Sequence, residues 1–331
     1  MKMKHRRLGQ QGLSVAELGL GTMGMTAFYG PGPSREDGIA VLRRAHELGV
    51  TLFDTAELYN QGTDANEALV GEALAPFRDQ VQIATKFGNV YDANLGANRY
   101  DSRPANIRRV AENSLRHLRT DVIDVFYQHR PDPDVPVEEV AGAVGELVAE
   151  GKVRFFGLSE SGPQTIRRAH ATFPVSVVQT EYSLFERGVE SDVLPTVHEL
   201  GIGFVAYSPL GRGFLTSEVK PADEYDENDM RRVDPRWQGE DFANNKQAID
   251  QLAAFAGAKG ITPAQLALGW LLAQGEDIVP IPGTRSRTRL EENLAAAEVS
   301  LTAEDLARIH DIVPHGAHGS RYVSEHLPVW E

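Results

Sequence analysis

The 331-residue chain contains no cysteine, which excludes disulfide frameworks, thiol nucleophiles and cysteine-ligated zinc. A cytoplasmic location fits that composition. Basic residues are also scarce: 33 Lys and Arg face 47 Asp and Glu, giving a formal net charge of −14. Binding nucleic acid through its phosphates needs the opposite balance, so no nucleic-acid partner is expected, and an anionic ligand would need a local basic patch. No run approaches the ~18 apolar residues of a spanning helix, and the basic opening MKMKHRRLGQQGLSV lacks the apolar segment of a signal peptide. No membrane association is expected.

What the chain does contain is a regular alternation. Short apolar, β-branched runs (VAELGL, VTLFDT, VQIATKF, VIDVFYQH, VRFFGLS, VSVVQTEYS, GFVAYSP and DIVPIPG) are separated by amphipathic stretches such as 34–48, 104–118 and 136–150. Near-continuous apolar strands between helices imply a parallel sheet covered by helices. Eight such units, with no composition break along the chain, predict a single (β/α)8 barrel domain over residues 1–331, of the TIM-barrel class. The opening HRRLGQQGLSV reads as a hairpin, 210–242 as a long polar loop after the seventh strand, 189–200 and 244–258 as helices, and 302–312 as an extra C-terminal helix.

Gly19, Gly21 and Gly24 carry the spacing G-x-G-x-x-G of dinucleotide-binding loops, but that fingerprint requires a helix opening on it. Gly30, Pro31, Gly32 and Pro33 prevent one, and the first helix is expected to start after an N-cap at Ser34. A pyrophosphate at Gly21 would have no helix N-terminus to rest on. The motif reads instead as a glycine-rich strand end that permits close approach.

In a barrel, functional groups gather at the carboxyl ends of the strands. The polar residues ending these runs include Asp54, Lys86, His129, Ser159, Gln179, Tyr207, Ser208, Gly283 and Thr284, with Tyr59 just beyond Asp54. They contain no metal-like cluster and no strong nucleophile, so no metal is expected. A tyrosine exchanges protons near neutrality only if a cation such as Lys86 favours its phenolate. Asp54 would hold that lysine charged, and His129 would orient a substrate oxygen. The set suits protonation of a carbonyl oxygen while another agent delivers hydride to carbon.

The segments FDTAELYNQGTDANEALVGEAL, IATKFG, DVIDVFYQHRPD, GKVRFFGLSE, QTEYSLFER, AYSPLGRGFLTS and IPGTRSRTRLEENLAA, in this order over residues 5–312, resemble the aldo-keto reductase superfamily. Their style is that of the bacterial and plant branch containing pyridoxal reductases and auxin-induced-protein relatives. The resemblance implies a (β/α)8 barrel and NADPH-dependent reduction of a small carbonyl compound, with the tetrad Asp54, Tyr59, Lys86 and His129. Tyr59 would be the general acid, Lys86 its pKa-lowering partner, Asp54 the anchor of Lys86 and His129 the carbonyl orienter. Ser159 and Gln179 match positions that hold the nicotinamide carboxamide, and Tyr207 the residue that stacks on its ring. Glu160 replaces the family's Asn; an ionised carboxylate cannot donate to the amide oxygen.

Ser208, Pro209, Leu210, Gly211 and Gly213 fit the loop over the pyrophosphate, with Arg212 adding charge. Thr284, Arg285 and Arg289 resemble a 2′-phosphate clasp, with Gly283 beside them at the cofactor, and Glu292 and Asn293 the adenine site; the rival reading of the run Arg285, Arg287 and Arg289 is a solvated helix start, and Arg287 is left out for that reason. Gly21, Thr22 and Met23 would form the floor under the nicotinamide and substrate. Tyr29 and Trp237, with Phe242, are candidates for an apolar substrate wall, while Glu57, Asn60 and Asn89 either line the pocket or solvate their loops. The rival reading is a nucleotide-binding regulatory relative, like the channel β subunits of this fold; the intact tetrad favours the enzyme. Oligomeric state stays open.

Overall fold

The computed structural model describes residues 3–60, 63, 65–92, 97–216 and 218–322. A hairpin of β1 (His5–Leu8) and β2 (Leu13–Ala16) is followed by β3 (Leu20–Gly21), α1 (Arg35–Glu47), β4 (Leu52–Asp54), α2 (Ala65–Leu74) and β5 (Gln82–Phe87). A second hairpin, β6 (Asn89–Asp92) and β7 (Ala97–Tyr100), precedes α3 (Pro104–His117), β8 (Ile123–Gln128), α4 (Val137–Ala149), β9 (Val153–Ser159) and α5 (Pro163–Thr172). The chain continues through β10 (Val175–Glu181), α6 (Val193–Leu200), β11 (Gly203–Tyr207), α7 (Gly239–Ala258), α8 (Pro263–Leu272), β12 (Ile278–Pro280), α9 (Arg287–Leu294) and α10 (Ala303–Ile312).

Eight strands pair in parallel in the order β3-β4-β5-β8-β9-β10-β11-β12. Gly21 and Gly283 form a parallel bridge, and Gly19 N–H donates to Pro280 O at 3.0 Å, closing the sheet into the (β/α)8 barrel. The two glycines make that closure possible: a Cβ on Gly19 would lie 3.0 Å from Leu52 O, and one on Gly21 3.0 Å from Ile281 O. After them comes only a single 3-10 turn, Met23–Met25, before α1. Ser34 caps α1 by accepting from Asp37 N–H at 3.1 Å, as the sequence predicts.

Leu8, Leu13 and Val15 of the first hairpin pack against Leu52, Ala84, Val125, Val177, Val205 and Val279 of the barrel strands. Leu8 abuts Gly203 at the start of β11, so the hairpin seals the amino-terminal end and leaves the carboxyl ends open. On the outside, Val137, Val140, Val144 and Leu147 recur at helical spacing along α4 and join Phe126 and Phe156 in the main core. No helix among the described residues is long and apolar enough to cross a membrane.

Three elements differ from the sequence reading. The hairpin β6–β7 was not expected, because its Asn-rich strands carry no apolar alternation. Helix α6 begins four residues late, at Val193, where the Asp192 side chain caps it after a 3-10 turn at Gly188–Glu190. Helix α7 begins five residues early, at Gly239, with Glu240 and Asp241 in its first turn. The segment between β11 and α7 folds into short 3-10 turns and crosses the mouth. Asp229 bridges to Tyr29, and Met230 N–H donates to Phe28 O at 3.0 Å.

Candidate active site

Asp54 ends β4, Lys86 lies in β5, His129 directly follows β8, and Tyr59 stands on a single 3-10 turn, Glu57–Asn60. All four are buried. Lys86 Nζ lies 2.5 Å from Asp54 Oδ1, donates to Thr55 O at 2.9 Å and reaches Tyr59 Oη at 3.4 Å. Gln179 Nε2 donates to the other carboxylate oxygen of Asp54 at 2.8 Å. The Tyr59 and His129 rings meet edge to face at 5.9 Å. A buried ammonium needs such a carboxylate, and the two strand ends supply it directly.

Burial pushes the Lys86 ammonium below its ordinary value, opposed by Asp54. Burial first, and the Asp54 charge second, push the Tyr59 phenol well above its ordinary value, with Arg130 opposing. The sequence reading expected Lys86 to bring this phenol down. In the structure the Lys86 charge is matched by Asp54 at contact distance, and burial prevails. Burial, then Arg130 and Lys86, hold His129 well below the usual imidazole range. At neutral pH the site therefore presents a protonated phenol beside a neutral imidazole. His129 Nδ1 is buried without a hydrogen-bond partner among the described residues.

Beside this group opens a cleft of about 520 Å³. It brings together Gly21, Thr22, Met23, Tyr29, Asp54, Tyr59, Tyr207, Ser208, Pro209, Leu210, Gly213, Gly283, Thr284, Arg285, Arg289, Glu292 and Asn293. Ser159, Gln179 and Gly211 are not in its lining; they are buried next to it. Sequence reasoning missed Thr216, Lys220, Tyr225 and Arg231, which the crossing segment adds. Their cations sit within a stretch whose overall composition is acidic, which hid them. Arg285 donates to Tyr29 O at 2.6 Å and to Pro31 O, and Arg289 pairs with Glu218 in an exposed contact worth little by itself. Lys220, Arg231, Arg285 and Arg289 line the cleft together, with Arg231 paired to Asp229 at 2.6 Å and Arg289 to Glu218.

Trp237 does not wall this cleft. It is 2 % exposed and packs on Phe214 at 4.7 Å and Tyr225 at 6.4 Å, inside the main core together with Phe242. A large indole gains more from that apolar contact than from a solvent-facing wall, and Tyr225 faces the cleft instead. Asn60 is a structural cap: its Oδ1 accepts from Asn66 and Glu67 N–H at 2.9 and 3.1 Å. Glu57 reaches Arg109 at 3.3 Å.

Glu160 has a left-handed backbone (φ 54°) and is fully occupied. Arg321 donates to its two oxygens at 2.9 and 2.5 Å, and Glu181 N–H donates at 3.1 Å. Burial works to raise the Glu160 carboxyl, but Arg321 and then Arg130 hold it below its ordinary value. Next to it, Tyr207 Oη shares a hydrogen bond of 3.0 Å with Tyr322 Oη, and the Arg212 guanidinium lies 4.4 Å from the Tyr322 ring centre. Arg321 and Tyr322 gave no signal in sequence because they follow the last helix in an unpatterned stretch. Among the described residues no three metal-ligating side chains come together.

Residues 17–314 match the model of the aldo/keto reductase family. The chain belongs to that family. It is 44% identical over 318 residues to a probable aldo-keto reductase 1 of Glycine max, covering 96% of this chain and 91% of the relative. The glycerol dehydrogenase of Gluconobacter oxydans superposes with a TM-score of 0.85 at 29% identity, covering 99% of this chain and 98% of that one. An aldo-keto reductase from Klebsiella pneumoniae in complex with NADPH gives 0.74 at 28% identity, covering 97% and 99%. Family membership supports oxidoreduction of carbonyl compounds and a nicotinamide cofactor.

Proposed function

We propose that the protein reduces aldehydes or ketones to alcohols with NADPH, and that Tyr59 is the proton donor. The observation that carries this reading is a buried phenol 3.4 Å from the Lys86 ammonium, itself held by Asp54, with the His129 ring beside it at the end of a cleft lined with cations. The cleft fits the cofactor on its own chemistry: its far end gathers four cationic side chains for phosphates, and its near end has the Tyr207 ring.

Gln179 spends its NH2 on Asp54, which leaves its Oε1 to accept from the carboxamide. Ser159 Oγ accepts a long contact of 3.4 Å from Arg130, which leaves its O–H to donate. Those two groups can satisfy the carboxamide without help from position 160, whose carboxylate is spent on Arg321. Gly21, Thr22 and Met23 would form the floor, Ser208 to Gly213 would hold the pyrophosphate, Thr284, Arg285 and Arg289 the 2′-phosphate, and Glu292 and Asn293 the adenine. When bound, NADPH supplies a hydride to the carbonyl carbon. His129 donates a hydrogen bond to the carbonyl oxygen and orients it, and Tyr59 passes its proton to that oxygen as negative charge develops there. Lys86, fixed by Asp54, then stabilises the phenolate left behind.

Following NADPH absorbance with pyridoxal, methylglyoxal, nitrobenzaldehyde and sugar aldehydes tests the reading. Turnover of at least one, undiminished by a chelator, is expected. Tight NADPH binding with no turnover of any would favour the regulatory alternative.

A further inference from the structure

Four arginines gather around Glu160 and Glu181, and three of them pair with carboxylates. Arg212 pairs with Glu181 and Asp234, Arg236 with Glu181 and Glu186, and Arg321 with Glu160. Arg130 has no such partner among the described residues. Its hydrogen bonds both leave from Nη1, to His129 O at 2.7 Å and Ser159 Oγ at 3.4 Å. Among the described residues Nε and Nη2 have no hydrogen-bond partner, and the residue is partly exposed. The Glu160 charge acts on Arg130 from nearby, but the hydrogen bonds to its oxygens come from Arg321 and Glu181 N–H and none comes from Arg130.

The location of this open edge matters as much as its chemistry. Arg130 directly follows His129 and touches Ser159, so its guanidinium lies between the residue beside Tyr59 and the end of β9. The Nε–Nη2 edge of arginine presents two parallel N–H donors that match the two oxygens of a carboxylate. In a protein of net charge −14, a guanidinium edge with no carboxylate hydrogen-bonded to it among the described residues can take an anionic group.

We propose that Arg130 is a specificity-determining residue that binds a carboxylate on the substrate, making short oxo acids, with the carboxylate a few bonds from the reacting carbonyl, the preferred class. This rests on the reductase reading above. The reaction itself is unchanged: Tyr59 gives its proton to the carbonyl oxygen as hydride reaches the carbon, and the carboxylate is carried through intact. Its anchoring holds the carbonyl against Tyr59 and His129.

The test compares succinate semialdehyde with its neutral methyl ester, using the wild type, Arg130→Met and Arg130→Lys, with nitrobenzaldehyde as control. The wild type is expected to favour the acid in kcat/KM by about 10- to 100-fold, the range for a hydrogen bond to a charged group. Arg130→Met should abolish most of that preference by raising KM for the acid, while the ester changes by a few fold; Arg130→Lys should keep part of it. Equal kcat/KM for acid and ester in the wild type, or equal losses on both in Arg130→Met with weakened NADPH binding, would overturn the proposal. So would reduction of nitrobenzaldehyde with neither the semialdehyde nor its ester accepted. Failure of all three substrates would instead sink the reductase reading.

Discussion

The two halves of the barrel mouth are built differently. On one side Asp54, Lys86 and His129 stand buried on or next to strand ends, with Asp54 and Lys86 tied by contacts of 2.5–2.9 Å. On the other, Lys220, Arg231 and Arg285 stand on loops and turns and Arg289 in the first turn of α9, and the Arg289–Glu218 pair is more than half exposed on both members. The barrel fixes groups that must meet a reacting atom to within a fraction of an ångström. Loops suffice where a ligand needs charge and can adjust to it.

If that division is right, the two sides should fail separately. Tyr59→Phe should lower kcat by about 10²- to 10⁴-fold, the range for losing a general acid. NADPH affinity, read by fluorescence titration, should stay within about twofold because the phenol is on the chemical side. A parallel loss of affinity would join the two halves. Trp237→Ala should cost about 3–5 kcal/mol of stability in denaturant unfolding, the range for emptying a buried aromatic site. KM should stay near wild type, and a large KM effect with unchanged stability would return Trp237 to the substrate wall.

A smaller effect is expected on the loop side. Arg289→Ala should weaken NADPH by about tenfold and NADH hardly at all, since one charge-assisted contact to phosphate is lost. Equal losses would count against a 2′-phosphate clasp. The smallest effect is an absence of change. Tyr59 is raised above its ordinary 10.0 and so stays protonated as pH rises; His129 is lowered below its ordinary 6.5 and so stays neutral as pH falls. The kcat for reduction should therefore be flat from about pH 6.5 to 9, whereas alcohol oxidation, which needs the phenolate, should rise with pH. A falling limb for reduction centred below pH ~9 would contradict the protonated phenol.

The strand ends were legible in sequence because a buried parallel strand is an apolar run, and the polar residue that ends it stands out. Asp54, Lys86 and His129 were found that way. The helix missing after Gly24 was also legible, from Gly30 to Pro33, though the glycines proved to serve barrel closure as well as the cleft floor. What could not be read depends on contacts between distant loops. Glu160 looked like a broken family position until Arg321, 161 residues later, supplied its partner. Trp237 looked like a ligand wall because an aromatic in a polar loop gives no sign of whether Phe214 covers it. Arg130 was passed over because the two hydrogen bonds it makes are visible only in three dimensions, and so are the ones it lacks.

The most direct test of the central claim is isotope transfer. NADPH carrying deuterium at its reactive nicotinamide carbon is mixed with nitrobenzaldehyde and the wild-type protein, and the product is read by mass spectrometry. The account predicts an alcohol with one deuterium on the former carbonyl carbon, formed as NADPH is consumed. An alcohol without deuterium on carbon, or NADPH bound tightly with no alcohol formed from any carbonyl compound offered, would contradict it.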